Sequence, residues 1–253
     1  MQIINELDTE ALHQEYLDTG YVIIRNLLSE EVAEAAYESL RNKVPWEFHY
    51  RAMKSGGRVG IIDSKYYAGL NDKDIQELVP KMATLQDNDF SFAYCRYTIP
   101  TRLEEALPDA RILTEIYRYF NTPEYLGLMA EITGDDSGRE VSTWASRYDR
   151  HHHLSVHMDE SPGQGRIAAH VLGLSKDWKK EWEGCFAFCN SKGKPVHKVP
   201  PQFNTLVMFK VPRLHLVTQV KPYAADSRYS LFGWYKTKQE YFLKNQESSA
   251  PEP

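Results

Sequence analysis

Thr205-Leu206-Val207-Met208-Phe209 and, after a short break containing Pro212, Leu214-His215-Leu216-Val217-Thr218-Gln219-Val220 are two short apolar runs. Runs of this length, rich in β-branched residues and bounded by turn formers, are the signature of strands rather than helices. Outward from them the texture repeats. Residues 228–235 follow, and 185–188, 166–174 and 141–148 precede. Several short strands separated by regular turns predict a sandwich or barrel. The second half of the chain is therefore expected to be mainly β, beginning near Val141.

Upstream the periodicity is helical. Residues 8–19 predict a short helix with Leu12 and Tyr16 on one face, stopped by Gly20 and followed by the strand Tyr21-Val22-Ile23-Ile24. Ser29 reads as the N-cap of a helix to about Asn42, with Val32, Ala35, Ala36 and Leu40 on its inner side. Thr122-Pro123-Glu124 opens another helix and Gly134 closes it. Ser55-Gly56-Gly57 reads as a loop. One domain over 1–253 is expected: residues 1–140 form a largely helical support and lid, and 141–240 the β core. Trp46, Tyr66 and Tyr67 are candidates for the lid. Residues 247–253 read as a frayed tail.

Composition limits the function. The 253 residues are 42% hydrophobic and 26% charged, with a net charge of −5 and a pI near 6.0. A general nucleic-acid binder would show a basic domain, so none is expected as a partner. No secretory leader and no membrane-length apolar run is read, which predicts a cytoplasmic protein with no membrane partner. Cys95, Cys185 and Cys189 lack disulfide or zinc spacing and are expected to be reduced.

The chemistry rests on His157-Met158-Asp159. Side chains at i and i+2 of extended backbone share a side, so His157 and Asp159 could grip one ion. Nine histidines and 35 acidic residues make about one such triplet expected by chance, so the motif needs company. His215 supplies it, on a predicted strand downstream. Two imidazoles and one carboxylate leave coordination positions open, the arrangement of iron(II) oxygenases. A 2-oxoglutarate chelated there needs a fixed cation for its distal carboxylate. Arg228, on a predicted strand beyond His215, offers a planar bidentate donor. Ser230 shares the Arg228 face and is a second candidate donor.

Taken together, the stretch from Tyr148 to Tyr235 resembles the prolyl-hydroxylase branch of the iron(II)/2-oxoglutarate-dependent dioxygenases. The resemblance is carried by Tyr148, His157-Met158-Asp159, Gly163-Gln164-Gly165-Arg166, Lys176-Asp177-Trp178 and Trp182-Glu183-Gly184. It continues through Pro200-Pro201-Gln202-Phe203-Asn204-Thr205-Leu206-Val207-Met208-Phe209 to His215 and Arg228. Asp18-Thr19-Gly20-Tyr21-Val22-Ile23-Ile24 resembles the entry into such folds. It implies a double-stranded β-helix of the jelly-roll or cupin-like kind, with a helical N-terminal layer (α+β). It also implies iron(II) and 2-oxoglutarate, with ascorbate a possible reductant, and Tyr148 beside the co-substrate. Two departures stand out. Gly173 occupies a position where animal prolyl hydroxylases usually have a second co-substrate tyrosine, and Cys185 replaces a common second glycine.

The resemblance implies hydroxylation of an aliphatic C–H, with dioxygen consumed and succinate and CO2 released. Related halogenases carry a small residue where this chain has Asp159, so the carboxylate implies hydroxylation. A peptidyl proline and a free amino acid both remain open as substrate. Alternatives are a small natural-product intermediate, or a catalytically inactive cupin-like metal-binding module. Arg166 and Trp234 are candidates for the substrate pocket. His151-His152-His153 reads as a solvated turn, with one of the three left open as facing substrate; His170 reads as a structural histidine, and the charge run 176–180 as a solvated loop.

Overall fold

The computed structural model of the protein describes residues 3–52, 58–62, 90–159 and 163–237. The expected loop at Ser55–Gly57, the tyrosines Tyr66 and Tyr67 and the tail at 247–253 lie outside the described residues.

Local signals act as the chemistry predicts. Asp8 caps α1 (Thr9–Thr19) by accepting from the Ala11 amide, and Gly20 ends it at φ 74°, a left-handed conformation that glycine adopts without steric cost. β1 (Tyr21–Arg25) follows at once. α2 (Glu30–Asn42) begins after Ser29, whose side chain makes no capping bond to it. Its buried stripe is Val32, Ala33, Ala36, Tyr37 and Leu40, whereas Ala35 is exposed. Positions 33, 36, 37 and 40 fit a 3.6-residue period more closely than the expected set, so the stripe turns slightly.

Between α2 and the next helix the chain contributes strands where helix was expected. These are β2 (Glu47–Ala52), β3 (Arg58–Ile62) and β4 (Phe92–Tyr97). β4 alternates cleanly, with Ala93, Cys95 and Tyr97 buried, a period of two that marks a strand. α3 (Arg111–Phe120) and α4 (Pro123–Thr133) complete the helical layer. Thr122 accepts from the Tyr125 amide at the start of α4, and Gly134 closes it. The β core then runs β5 (Glu140–Tyr148), β6 (His153–His157), β7 (Arg166–Leu174), β8 (Phe186–Cys189), β9 (Pro195–Val199), β10 (Phe203–Lys210), β11 (His215–Val217) and β12 (Arg228–Lys236).

The strands join in the order β1-β10-β7-β12-β5-β4-β6-β11-β8-β9, with β2 on β4 and β3 on β2. Every pairing is antiparallel. Side-chain alternation sends one set outward and the other inward. On β12 the residues Tyr229, Leu231 and Tyr235 join the core beneath the helices, while Arg228, Ser230, Phe232 and Trp234 line a cavity. The sheet is curled so that its two ends meet face to face. Phe209 of β10 lies 5.3 Å from Phe186 and 5.5 Å from Phe188 of β8, and Tyr21 of β1 lies 4.6 Å from Phe188. This aromatic seam closes the jelly roll, and the space inside is the candidate site.

The helical layer is held by one continuous core. Val32, Ala36 and Leu40 of α2, Leu113, Ile116 and Phe120 of α3, and Tyr125 and Met129 of α4 pack on Val141, Ala168, Leu172 and Leu231. Full burial of each large aliphatic side chain contributes about 1.5–3 kcal/mol. Trp46, expected in a lid, is 5% exposed and belongs to this core. Its indole N–H donates to the Leu40 carbonyl, which satisfies its one polar atom.

Candidate metal centre

His215 opens β11 and pairs directly with His157 at the end of β6. Directly opposed residues of an antiparallel pair share a face, with Cβ atoms about 5 Å apart. The rings accordingly lie 4.1 Å apart between centroids. Asp159 follows just beyond β6 and turns its carboxylate between them. Oδ1 is 3.6 Å from His157 Nε2, and Oδ2 is 3.5 Å from His215 Nε2. One donor atom from each residue falls within 4.8 Å of the others. These separations are too long for hydrogen bonds and suit three donors arranged about a shared ion.

Backbone carbonyls set the histidine tautomers. His157 Nδ1 lies 2.9 Å from the Ser155 carbonyl and His215 Nδ1 2.8 Å from the Arg213 carbonyl. A carbonyl accepts only from N–H, so the proton sits on Nδ1 and the Nε2 lone pair faces inward. Burial first, then the neighbouring His157, push the His215 pKa down to about 4, against the pull of Asp159. A neutral imidazole is the form that binds metal. The donor set, two imidazole nitrogens and one carboxylate, therefore fits iron(II).

A second cluster, Cys95, Asp149 and His152, also brings its donor atoms within 4.8 Å of one another, but its donors are engaged. The Asp149 amide donates to His152 Nδ1, and Arg147 Nη2 lies 3.1 Å from Asp149 Oδ2. His152 is fully buried and stacks on Phe48 at 5.2 Å, so the middle histidine of the run leaves the solvent, while His151 and His153 stay partly exposed. The turn at His151, φ 68°, swings its neighbour inward. Burial pushes the His152 pKa down to about 4.

The curled sheet encloses a cavity of about 360 Å³ that contains the His157, Asp159 and His215 side chains. Arg228 and Ser230 of β12 pair directly with Tyr148 and Ser146 of β5, making a two-by-two square on the cavity wall. Arg228 is 5% exposed, and among the described residues it has no acidic partner. Its guanidinium stands 4.9 Å from the Tyr148 ring centre. Tyr148 stacks on Tyr94 of β4 at 5.2 Å, and burial drives the Tyr148 phenol far above its ordinary pKa, with Tyr94 adding and Arg228 opposing. Ser146 is a residue the sequence reading missed. Its position two before Tyr148 on the same strand was the available signal.

Arg166 and Trp234 meet at the same cavity. The guanidinium lies 3.6 Å from the Trp234 ring centre, and its Nη1 donates to the Asp159 carbonyl at 2.6 Å. Arg166 thus braces the backbone of a candidate ligand. Phe90, Phe92 and Phe232 complete the aromatic wall. Gly173 of β7 lies directly opposite Ser230 on the same face, but a Cβ there would stand 2.4 Å from the Gln202 carbonyl oxygen, so no side chain fits. Cys185 is buried behind Arg228, its amide donating to Thr218 Oγ1, and burial raises its thiol pKa. Lys176, expected in a solvated loop, is instead paired with Glu34 over the Tyr37 ring.

Comparison with known proteins agrees with this geometry. Residues 143–236 match the model of the 2OG-Fe(II) oxygenase superfamily. No curated protein sequence matches the chain. A prolyl-4-hydroxylase from Pseudomonas putida superposes with a TM-score of 0.57 at 14% identity, covering 91% of this chain and 99% of that one. An oxidoreductase of the 2OG-Fe(II) oxygenase family from Burkholderia pseudomallei gives 0.58 at 15%, covering 93% and 94%. A prolyl hydroxylase from Trichoplax adhaerens, solved with a hypoxia inducible factor oxygen degradation domain peptide fragment, gives 0.55 at 15%, covering 96% and 93%. Identities this low establish a shared fold.

The β core is similar to the 2OG-Fe(II) oxygenase superfamily, whose members use iron(II) and 2-oxoglutarate. Its architecture is that of the prolyl-hydroxylase-like members. Among the described residues no helix is long and apolar enough to cross a membrane.

Proposed function

We propose that the protein hydroxylates an aliphatic C–H of a prolyl residue or a free amino acid, with His157, Asp159 and His215 holding iron(II) and Arg228 anchoring 2-oxoglutarate. The observation that carries this reading is Arg228. A buried cation without a counter-ion is costly, and here it shares one cavity with three converging metal-type donors. A dicarboxylate whose far end neutralises Arg228 satisfies both. Bound iron(II) would supply the dioxygen chemistry that couples decarboxylation of 2-oxoglutarate to C–H hydroxylation.

The chain's own groups orient and shield. Nδ1–H bonds to backbone carbonyls hold the two imidazoles in place, and Arg166 holds the Asp159 backbone. Tyr148 and Ser230 offer hydroxyls beside Arg228 for the same carboxylate. Phe90, Phe92, Phe232 and Trp234 keep the cavity apolar, which strengthens polar contacts made inside it. A prolyl ring, apolar and compact, suits that wall, and the prolyl hydroxylases among the structural relatives support it. A second reading, a small apolar natural-product intermediate, is favoured by the same aromatic lining.

The test is an anaerobic titration of the apoprotein with iron(II) and then 2-oxoglutarate, followed in the visible spectrum. A weak metal-to-ligand band in the wild type, lost in His215→Ala, is the expected result. Iron binding without any band would overturn the co-substrate assignment. Free amino acids and proline peptides are then compared for succinate release, and turnover of free compounds alone would remove the peptidyl reading.

A further inference from the structure

We infer that Ser146 is a positioning residue for the co-substrate's distal carboxylate, acting through Ser230, so that the anion clamp spans two strands. The inference rests on the binding of 2-oxoglutarate at Arg228. Ser146 and Ser230 are directly paired across β5 and β12, and their Oγ atoms are 2.7 Å apart. Both side chains line the cavity and both residues are at most 2% exposed. Two hydroxyls bonded to each other use one proton between them, so the second O–H remains to be given away. Among the described residues the Ser146 O–H has one partner in hydrogen-bond reach, Ser230 Oγ. When Ser146 donates, the Ser230 proton is turned toward the Arg228 side of the cavity.

The register makes this direction specific. Arg228 lies two residues from Ser230 on the same face, so a carboxylate paired with the guanidinium can accept from Ser230 as well. On the other flank of Ser230 stands Gly173 of β7, where no side chain fits beside the Gln202 carbonyl. β7 therefore contributes no hydroxyl, and the partner that orients Ser230 comes from β5. A charge-assisted chain of this kind polarises each bond in turn.

The experiment measures 2-oxoglutarate affinity by calorimetry on the manganese(II)-loaded protein without dioxygen. Ser146→Ala is expected to weaken binding about fivefold to tenfold, and Ser146→Thr to restore most of it. The discriminating ligand is 2-oxobutyrate, which has the keto-acid head but no distal carboxylate. Its affinity should be the same in wild type and Ser146→Ala. Equal weakening of both ligands would mean a merely structural role and overturn the inference, as would unchanged 2-oxoglutarate affinity. Failure of the wild type to bind 2-oxoglutarate would instead overturn the reading of Arg228.

Discussion

Arg228 is held in the apoprotein at an energetic disadvantage, since burial pulls its pKa below the ordinary arginine value and no carboxylate opposes it among the described residues. Replacing it should separate stability from binding. Arg228→Met is expected to raise apoprotein stability by on the order of 1–4 kcal/mol in urea unfolding. The same variant should lose 2-oxoglutarate affinity by at least about a hundredfold and abolish the ligand's thermal stabilisation. A variant that is less stable yet still binds would contradict the anchor role. Two buried histidines give a second prediction. His152 and His170 are both pushed down to about 4 by burial. In the unfolded chain each titrates near 6.5, so from there down to 4 the unfolded state binds more protons and stability falls with pH. At pH 5 the loss is roughly 2 kcal/mol per histidine. Urea midpoints at pH 7.5 and 5.0 measure it, and His152→Phe should reduce the pH dependence whatever it does to absolute stability.

At the scale of elements, the cavity wall is a matter of register. The directly opposed pairs Arg228–Tyr148 and Ser230–Ser146 arise because β12 and β5 align without a break along their length. A slip of one residue would send all four side chains to the helical face. Close packing at β7 guards this register. Gly173→Ala would push a methyl to 2.4 Å from the Gln202 carbonyl oxygen, and backbone cannot move as a side-chain tip can. The expected cost is about 1–3 kcal/mol, read by denaturant unfolding together with weaker 2-oxoglutarate binding. Unchanged stability would show that the 202–205 corner yields. Much at this scale was legible in advance: Gly20, Thr122 and Gly134 act as local signals suffice to say. The strands β2 to β4 were not anticipated, although β4 alternates, because the surrounding sequence offered helical spacing and the pairing partners lie far along the chain.

At the scale of the whole molecule, closure of the sheet makes the site. Phe209 sits at the seam, touching Phe186, Phe188 and, at 4.8 Å, the His215 ring. Phe209→Ala is expected to cost about 3–5 kcal/mol and to weaken metal binding as well, because His215 loses the ring that fixes it. Parallel unfolding and manganese(II) titrations check both, and full metal affinity in a destabilised variant would show that the seam and the site are independent.

The sequence by itself determined the strand-rich second half and the placing along it of two imidazoles, a carboxylate and a guanidinium, those of His157, His215, Asp159 and Arg228. These follow from alternation, spacing and side-chain chemistry, which are local properties. Only the tertiary structure decided that Arg228 meets the triad across a cavity, since β5 and β4 separate β12 from β6 in the sheet. It alone brought Ser146 against Ser230, turned His152 inward, put Trp46 in the core and set Arg166 against Asp159. The physical reason is that curling of the sheet and cross-strand register join residues far apart in the chain, and no local pattern encodes which of them will face one another.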